Sequence, residues 1–279
     1  MRRPLVSILI RTCQRPDVLK NALNSVRNQT YKNIQAVIVE DGENKSEDLL
    51  KREYSDINYV YKATGQKVGR SKAGNLALEL AEGEYLNFLD DDDILLPEHV
   101  DKLVNTLIND KNLAAYSNAE EIQINVTSHT PYKYNVKRRL VRYHQPFNKL
   151  LLYTFNYIPI QSIMFHKELF TELGGLDDKL DALEDWDLWV RYSTKTDFTY
   201  VNETTSCYYT PYKRHKKKNR GNNLNAYNDA VYAKFYCYAS NLNVGEINSD
   251  MKYILEEYKQ KAYMRYLRIL LRRILWGER

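Results

Sequence analysis

The chain has 279 residues, of which 43% are hydrophobic, and its formal net charge at pH 7 is +5. A chain of this size can bury a substantial core, as one large domain or as one domain with an appendage. Its ten glycines and seven prolines are too few for a collagen-like or low-complexity protein. Its three cysteines form no CxxC pair, which predicts reduced thiols and no zinc site.

Neither a membrane span nor a secretory signal is predicted. No stretch of the sequence reaches the roughly 18 apolar residues that a membrane-spanning helix needs. The apolar run near the N-terminus is also too short for the core of a signal peptide. We therefore expect a cytoplasmic protein, with attachment at the inner face of the plasma membrane as the alternative.

The charges are unevenly distributed. Lysines and arginines crowd residues 213–220 and 265–279, whereas acids cluster at residues 90–93 and 184–187. This clustering predicts an acidic metal site that faces basic groups meeting an anionic substrate. Solvated charged faces are the alternative interpretation.

The first half of the chain alternates between strand and helix patterns. Short apolar runs predict strands at residues 5–10, 34–39, 57–61 and 85–89. Helical spacing predicts helices at residues 16–27, 48–54, 71–81 and 97–109, the first and last of them opened by a proline. Strands that alternate with helices in this way predict βαβ units and a mostly parallel sheet.

The second half is less regular. Further strands are predicted at residues 113–116 and 161–165, with a polar, tyrosine-rich stretch between them that receives no assignment. Helices are predicted at residues 166–173 and 184–192. From about residue 225 the spacing is that of long helices.

Polar side chains follow three of the predicted strands. Arg11 and Thr12 follow the first strand. Glu40 and Asp41 follow the second, and residues 90–93 follow the fourth. Open α/β sheets bind ligands in the crevice at the carboxyl ends of their strands, so we expect a ligand site at this edge.

Four adjacent aspartates, residues 90–93, stand between a buried strand and a proline. Their carboxylates repel one another unless a cation or hydrogen-bond donors compensate. Mg²⁺ or Mn²⁺ takes oxygen ligands and is shared with substrate phosphates, which explains the run. An acidic loop in which one aspartate caps a helix is the alternative.

Glu184 and Asp185 stand beside Trp186 at the start of a predicted helix. Helix N-termini favour carboxylates, and on spacing alone this capping role is the favoured interpretation. A general base needs a cleft that keeps it partly dry, which Trp186 and Trp189 would help to provide.

His215 lies in a run of lysines and arginines, where a lone histidine is usually exposed. That run contains little aromatic interleaving and no nucleic-acid module, so no nucleic-acid partner is predicted. The sequence also lacks the motifs of dinucleotide enzymes, P-loop NTPases, zincins and serine hydrolases.

The ordered set of motifs resembles family 2 glycosyltransferases of the GT-A fold. The matching segments are VSILIRTCQRP at 6–16, NQTY at 28–31, VIVEDG at 37–42, GEYLNFLDDDD at 83–93, GGLD at 174–177 and EDWDLWVR at 184–191. The resemblance implies an α/β fold with a Rossmann-like, mostly parallel central sheet flanked by helices. It implies a catalytic domain at residues 1–220, and the helical spacing that follows predicts a helical C-terminal extension at 221–279.

The resemblance also implies roles for the donor-side residues. Thr12 and Asp41 would hold the nucleobase, and Arg70 would lie near the base and the phosphates. Asp91 would touch the ribose. Asp90 would belong with it to the DxD element of the family.

Residues for the metal and for catalysis follow from the same resemblance. Asp92 would bind the metal ion directly, and His215 would reach it after the catalytic core. Asp185 would act as the general base for an attack that inverts the anomeric configuration.

Two departures from the family pattern concern the donor site. Arg11 stands where the family usually has proline. Gly74 stands where many relatives have an arginine, so we expect Arg70 or Lys72 to take over its phosphate contact.

The spacing of apolar and basic residues predicts a basic amphipathic helix at residues 263–274. Such a helix can lie on an anionic membrane, which would suit a lipid-linked acceptor. Packing on the catalytic domain or on a second subunit of a homo-oligomer is the alternative.

The predicted function is therefore the transfer of a sugar from a nucleotide-diphosphate donor, a UDP-sugar, to a hydroxyl of a glycan or lipid-linked acceptor in cell-surface polysaccharide synthesis. Mn²⁺ or Mg²⁺ is the expected cofactor. Two alternatives stay open: a nucleotidyltransferase-like enzyme, which would have no use for Asp185, and a non-catalytic relative that binds carbohydrate or nucleotide-sugar.

Overall fold

We describe the protein from a computed structural model that covers residues 3–212, 231, 234, 235, 238, 245, 247–254 and 256. The strands are β1 Val6–Thr12, β2 Ile34–Glu40, β3 Tyr59–Ala63, β4 Tyr85–Asp90, β5 Ile94–Leu95, β6 Ala114–His129, β7 Tyr132–Val141, β8 Ile163–His166 and β9 Phe198–Pro211. The helices are α1 Pro16–Arg27, α2 Glu47–Glu53, α3 Arg70–Leu80, α4 His99–Ile108, α5 Lys149–Leu152, α6 Lys167–Leu173 and α7 Glu184–Ser193, with a short 3₁₀ helix at Ile160–Ser162.

The strands form one sheet in the order β3-β2-β1-β4-β8-β6-β9-β5, and β7 pairs with β6. The first four strands along the chain are parallel neighbours. Beyond β4 the sheet is mixed, because β8 runs antiparallel to β4 and β6 while β9 runs parallel to β6. The predicted α/β architecture and the four N-terminal βαβ strands are confirmed.

The central strands are buried on both faces. Successive side chains of a strand point to opposite faces, so each strand serves two cores. Leu9 and Val37 pack with residues of α3 on one face. Ile8 and Ile38 pack with residues of α1 and α4 on the other. Helices on both faces explain why these strands are continuous apolar runs in the sequence.

A long hairpin, β6–β7, occupies most of the tyrosine-rich stretch that received no assignment. Its register shifts between Gln123 and Ile124 and again between Val126 and Ser128. Such irregularities interrupt the ladder of hydrogen bonds between the two strands. Within the described sheet β7 pairs with β6 alone, and its Tyr134 packs in a small apolar cluster with Ile124 and Val126 of β6. These apolar residues alternate with polar ones in the sequence, as in a half-buried strand.

The C-terminal segment packs on the sheet and its helices where it is described. Val231 and Phe235 are helical and buried. The ring of Phe235 meets that of Trp186 edge to face, with 4.9 Å between centroids. The boundary near residue 220 stays a prediction, and the basic helix at 263–274 lies outside the described residues. No helix in the described part of the chain is both long and apolar enough to cross a bilayer.

Candidate active site

The backbone at the ends of β1, β2 and β4 brings the predicted strand-end residues together. The N–H of Asp41 donates to the carbonyl of Thr12 at 2.8 Å, and the N–H of Asp91 donates to the carbonyl of Arg11 at 3.2 Å. The end of β1 therefore lies between the two acidic strand ends. This arrangement is the edge of the sheet at which the sequence predicted a ligand site.

Thr12 and Asp91 are in direct contact. The hydroxyl of Thr12 donates to Oδ2 of Asp91 at 2.7 Å. The guanidinium of Arg15 covers the same carboxylate, with Nε 3.2 Å from Oδ2 and Nη2 paired with Oδ1. Burial raises the pKa of Asp91 to about 6, although the charge of Arg15 opposes the shift. Arg15, to which no sequence motif assigns a role, thus supplies the counter-charge of a buried carboxylate.

Asp92 is the most open of the three aspartates in the DxD element. Its side chain is 37% exposed, against 22% for Asp90 and 1% for Asp91. Its Oδ2 lies 3.6 Å from Nη1 of Arg15. Burial, followed by the charge of Asp90, raises the pKa of Asp92. Of these three carboxylates, Asp92 is therefore the one offered to a ligand.

A cavity of about 550 Å³ opens beside Asp92. The start of α1, the tip of the β6–β7 hairpin and the end of β9 line its other walls. Tyr132 from the hairpin tip is one of these lining residues, and the charge of Asp92 contributes to the raised pKa of Tyr132 after burial does. The hairpin thus forms one wall of the cavity beside Asp92, which Thr12, Asp41 and Asp185 do not line.

The donor set fits a metal ion that depends on substrate oxygens. Within residues 3–212 and the described positions beyond them, no group of three or more His, Cys, Asp or Glu side chains is arranged as a metal site. Arginines hold Asp90 and Asp91 by hydrogen bonds, whereas Asp92 makes only a longer ion pair with Arg15, at 3.6 Å. Mg²⁺ is usually bound through one or two carboxylates together with phosphates and water, so a single open carboxylate is sufficient. His215, the second predicted ligand, lies outside the described residues.

Asp41 fixes the loop before α3. Its carboxylate accepts from the backbone N–H groups of Val68 at 2.6 Å and Gly69 at 3.1 Å. Gly69 has φ +98°, a conformation that L side chains rarely adopt, and it is the N-cap of α3. Arg70 is the first residue of that helix, so Asp41 sets the position of Arg70. Each oxygen of Asp41 keeps a second lone pair for a ligand.

Arg70 lies close to the start of α7. Its side chain is half exposed, and Nη1 lies 3.4 Å from Oε1 of Glu184. The structure thus brings Arg70 to the same carboxylate pair that contains Asp185. A half-exposed guanidinium at this edge is accessible to an anionic ligand.

Asp185 is partly exposed at the first turn of α7. Its Oδ2 accepts from Nδ2 of Asn156 at 2.8 Å, and its Oδ1 accepts from the N–H of Trp186 at 2.8 Å. Burial, followed by the charge of Glu184, raises the pKa of Asp185 to about 6. A carboxylate with a pKa near neutrality is a suitable proton acceptor. Asn156 lies outside every sequence motif, and sequence analysis did not single it out.

The backbone at the start of α7 does not follow the usual capping pattern. The N-cap residue is Leu183, whose φ of 65° is unusual for a residue with a large side chain. The side chain of Leu183 has no polar atom and makes no capping hydrogen bond to the backbone of α7. Trp186 is buried, and its Nε1 donates to the carbonyl of Leu152 at 2.6 Å. Packing of Trp186 thus adds to the hydrogen bonds and ion pairs that hold Glu184 and Asp185.

Comparison with known proteins assigns the family. The sequence profile described as Glycosyl transferase family 2 matches residues 7–174, more than half of the chain. The chain belongs to this family. The match contains Thr12, Asp41 and the aspartate run, and it ends before Asp185.

Curated relatives agree with the assignment. An uncharacterized glycosyltransferase of Rickettsia typhi is 29% identical over 199 residues, which cover 68% of this chain and 58% of that protein. An uncharacterized glycosyltransferase of Methanocaldococcus jannaschii is 26% identical over 196 residues, which cover 68% of this chain and 65% of that protein. The chain thus spans less than two thirds of the length of either relative.

A solved structure confirms the expected fold type. The crystal structure of S. aureus TarS 1–349 in complex with UDP-GlcNAc matches with a TM-score of 0.62 and 14% sequence identity. The match covers 76% of this chain and 60% of that one. At this identity the likeness concerns the fold alone, which is of the GT-A type.

Proposed function

We propose that this protein transfers a sugar from a nucleotide-diphosphate donor, a UDP-sugar, to a hydroxyl group of a glycan or lipid-linked acceptor. Two carboxylates carry the proposal, Asp92 and Asp185, whose neighbours Asp90 and Glu184 are joined by the guanidinium of Arg11. One is an open carboxylate in the DxD element, and the other is a partly exposed carboxylate whose pKa is raised to about 6. Family membership and the GT-A fold support the same reading.

The donor would bind at the end of β1. Thr12 and Asp91 form one polar wall there, and Asp41 forms another beside the loop before α3. TarS, which shares the fold, has been crystallised with UDP-GlcNAc. That complex supports a nucleotide-sugar as the ligand class for this chain.

Asp185 would activate the acceptor. Its carboxylate takes the proton of the acceptor hydroxyl, whose oxygen forms a bond to the anomeric carbon. The bond from that carbon to the diphosphate oxygen breaks, and the electron pair leaves with the diphosphate. A single displacement of this kind inverts the anomeric configuration.

Negative charge develops on the departing diphosphate, and nearby positive charge would stabilise it. Arg70 is half exposed near Glu184 and can face it. Mn²⁺ or Mg²⁺, held by Asp92 and by His215, would supply further charge stabilisation when bound. Asp92 would serve as the fixed protein ligand of that ion.

The proposal also covers the biosynthetic process, the cellular location and the contacts of the C-terminal segment. We assign the acceptor to cell-surface polysaccharide synthesis and the protein to the cytoplasm. The basic stretch at residues 263–274 would contact the inner face of the membrane or a second subunit of a homo-oligomer.

A thermal-shift screen of nucleotide-sugars with and without Mn²⁺ tests the donor. A ligand that binds only the native state raises the melting temperature, and we expect UDP-sugars with Mn²⁺ to do so. Turnover of the stabilising donor is then compared between the wild type and Asp185→Asn. We expect donor binding to survive and transfer to collapse.

Asp48→Asn is the matched control, because Asp48 is an exposed aspartate on α2. This variant should transfer sugar at the wild-type rate. Equal turnover in Asp185→Asn and the wild type would contradict the proposed base. Donor binding without transfer or donor hydrolysis in the wild type would instead indicate a non-catalytic relative.

A further inference from the structure

Arg11 is a buried cation at the end of the central strand β1. Its side chain is 6% exposed, in a strand whose seven residues are all buried. In the sheet it pairs with Val39 of β2 on one side and with Asp90 of β4 on the other. A buried charge is costly unless it is paired and hydrogen-bonded, so its partners define its role.

The guanidinium of Arg11 joins two carboxylates that are distant in the chain. Nε and Nη2 donate to Oδ1 of Asp90 at 2.9 and 2.6 Å. Nη1 donates to Oε1 of Glu184 at 3.1 Å. The rigid, planar fork of an arginine can serve two acceptors at once, which a lysine cannot do with the same geometry.

The side chain of Arg11 lies over a glycine of α3. A Cβ added at Gly74 would lie 3.3 Å from Cδ of Arg11 and 2.5 Å from Cδ1 of Leu176. The guanidinium continues over the ring of Phe88, 5.6 Å from its centroid. Helix α3 therefore contributes no side chain here, and the space is filled by Leu176 and by the arginine from β1. The two departures noted in the sequence, at residues 11 and 74, belong to one arrangement.

The two carboxylates bound by Arg11 belong to different parts of the site, the DxD element and the start of α7. Asp90 opens the DxD element, which contains Asp92. Glu184 is the first residue of α7 and directly precedes Asp185. The other oxygen of Glu184, Oε2, is buried without a hydrogen-bond partner among the described residues. The position of Glu184 thus depends on its Oε1, which Arg11 and Arg70 share.

We propose that Arg11 is a positioning residue that links the donor half of the site to the catalytic base. One guanidinium fixes the start of the DxD element relative to the start of α7. This inference rests on the proposed function, because it takes Asp92 and Asp185 as the two ends of the reaction.

The charges around Asp185 give this role a measurable signature. After burial, the charge of Glu184 raises the pKa of Asp185. The N–H of Trp186, the charge of Arg11 and the amide of Asn156 lower it. Removal of the Arg11 charge should therefore raise the pKa of Asp185. Activity would then be lost at a higher pH as the solution is acidified, because the base must be ionised.

The test compares Arg11→Met with Arg11→Lys in the full chain, with kcat and the donor KM measured across pH. For Arg11→Met we expect kcat to fall about 100-fold, as for a misplacement of about 1 Å, with the acid limb of the kcat profile moved to higher pH. For Arg11→Lys, which keeps the charge but loses the fork, we expect a fall of about tenfold with the acid limb unmoved.

Val37→Ala is the control for a purely structural effect, because Val37 is fully buried in β2 away from the carboxylates. It should lower the melting temperature without moving the acid limb. The proposal is overturned if Arg11→Met keeps the wild-type acid limb, or if Arg11→Lys keeps the full kcat. Should the methionine variant fail to fold, the lysine variant alone decides.

A second readout separates this inference from the proposed function. The carboxyl carbon of Asp185 can be followed by ¹³C NMR titration in the full chain and assigned by its loss in Asp185→Asn. We expect it to titrate at higher pH in Arg11→Met than in the wild type, whether or not a donor is turned over. Absence of sugar transfer by the wild type would contradict the proposed function. An unchanged titration of Asp185 in Arg11→Met would instead contradict the positioning role of Arg11.

Discussion

The amide of Asn156 donates to Oδ2 of Asp185 at 2.8 Å, so a residue from the segment after α5 holds the proposed base at the start of α7. This hydrogen bond favours the ionised form of Asp185 and opposes the rise in its pKa that burial causes. It also limits rotation of a carboxylate that must meet an acceptor hydroxyl. The segment carrying Asn156 is thereby coupled to proton transfer.

We expect Asn156→Ala to lower kcat by about tenfold, a loss smaller than removal of the base itself would cause. The acid limb of the kcat profile should move to higher pH, because the ionised form of Asp185 loses a donor. Steady-state kinetics across pH measure both effects. Asn105→Ala, at an exposed position of α4, is the control and should behave as the wild type. Identical profiles for the two variants would refute the coupling.

The wild-type pH profile follows from the pKa of Asp185, which is about 6. We expect kcat to be constant above that pH and to fall tenfold per unit below it, because the protonated carboxyl cannot accept the hydroxyl proton. Asp91 has a pKa of about 6 as well, and its protonation should affect the donor KM. Measuring kcat and kcat/KM separately distinguishes the two groups. A kcat that stays flat down to about pH 4 would rule out Asp185 as the base.

The ionised carboxylate of Asp185 should also lower the free energy of unfolding. Its folded-state pKa of about 6 lies above the ordinary value of 3.8, so the folded state binds more protons between these pH values. The free energy of unfolding therefore falls as pH rises from 4 to 6 and stays low above 6. The linkage of pKa to stability gives about 3 kcal/mol for this shift, and the partial exposure of Asp185 reduces that figure. We therefore expect Asp185→Asn to be more stable than the wild type at pH 7.5 by about 1–2 kcal/mol. Thermal unfolding at pH 4 and pH 7.5 measures the difference, which should vanish at the lower pH.

Asp92→Asn tests the metal ligand without a transfer assay. We expect UDP to raise the melting temperature of the wild type more in the presence of Mn²⁺ than in its absence. In the variant this Mn²⁺-dependent increment should disappear, because the open carboxylate is lost. Asp48→Asn should retain the full increment. An undiminished increment in Asp92→Asn would place the ion elsewhere.

Phe235→Ala tests whether the segment beyond residue 220 supports the active site. Phe235 is buried against Trp186, the neighbour of Asp185. We expect a loss of about 3 kcal/mol in the free energy of unfolding, as for other buried aromatic truncations, together with a lower kcat. Met251→Ala, at an exposed position, is the control and should change neither quantity. Wild-type stability in Phe235→Ala would mean that the segment is independent of the catalytic body.

The sequence determined the first half of the fold and the location of the site at one edge of the sheet. Apolar runs and helical spacing identified β1 to β4 and the helices between them, because local periodicity reflects burial on both faces of the sheet. Parallel strands end at one edge, so the neighbourhood of Thr12, Asp41 and residues 90–93 followed from their order alone. The family motifs added Asp185, whose role the spacing could not separate from helix capping.

Only the tertiary structure decided which side chains meet across the chain. The alternation of apolar and polar residues does mark both strands of the β6–β7 hairpin in the sequence, but only the structure shows that the tip of this hairpin lines the cavity beside Asp92. Arg11 contacts Glu184 across 173 positions, and Asn156 reaches Asp185 from a segment without any motif. The pKa values of the carboxylates depend on burial and on these partners. These contacts and pKa shifts arise when distant segments pack together and exclude water. A local pattern of residues contains no information about that packing.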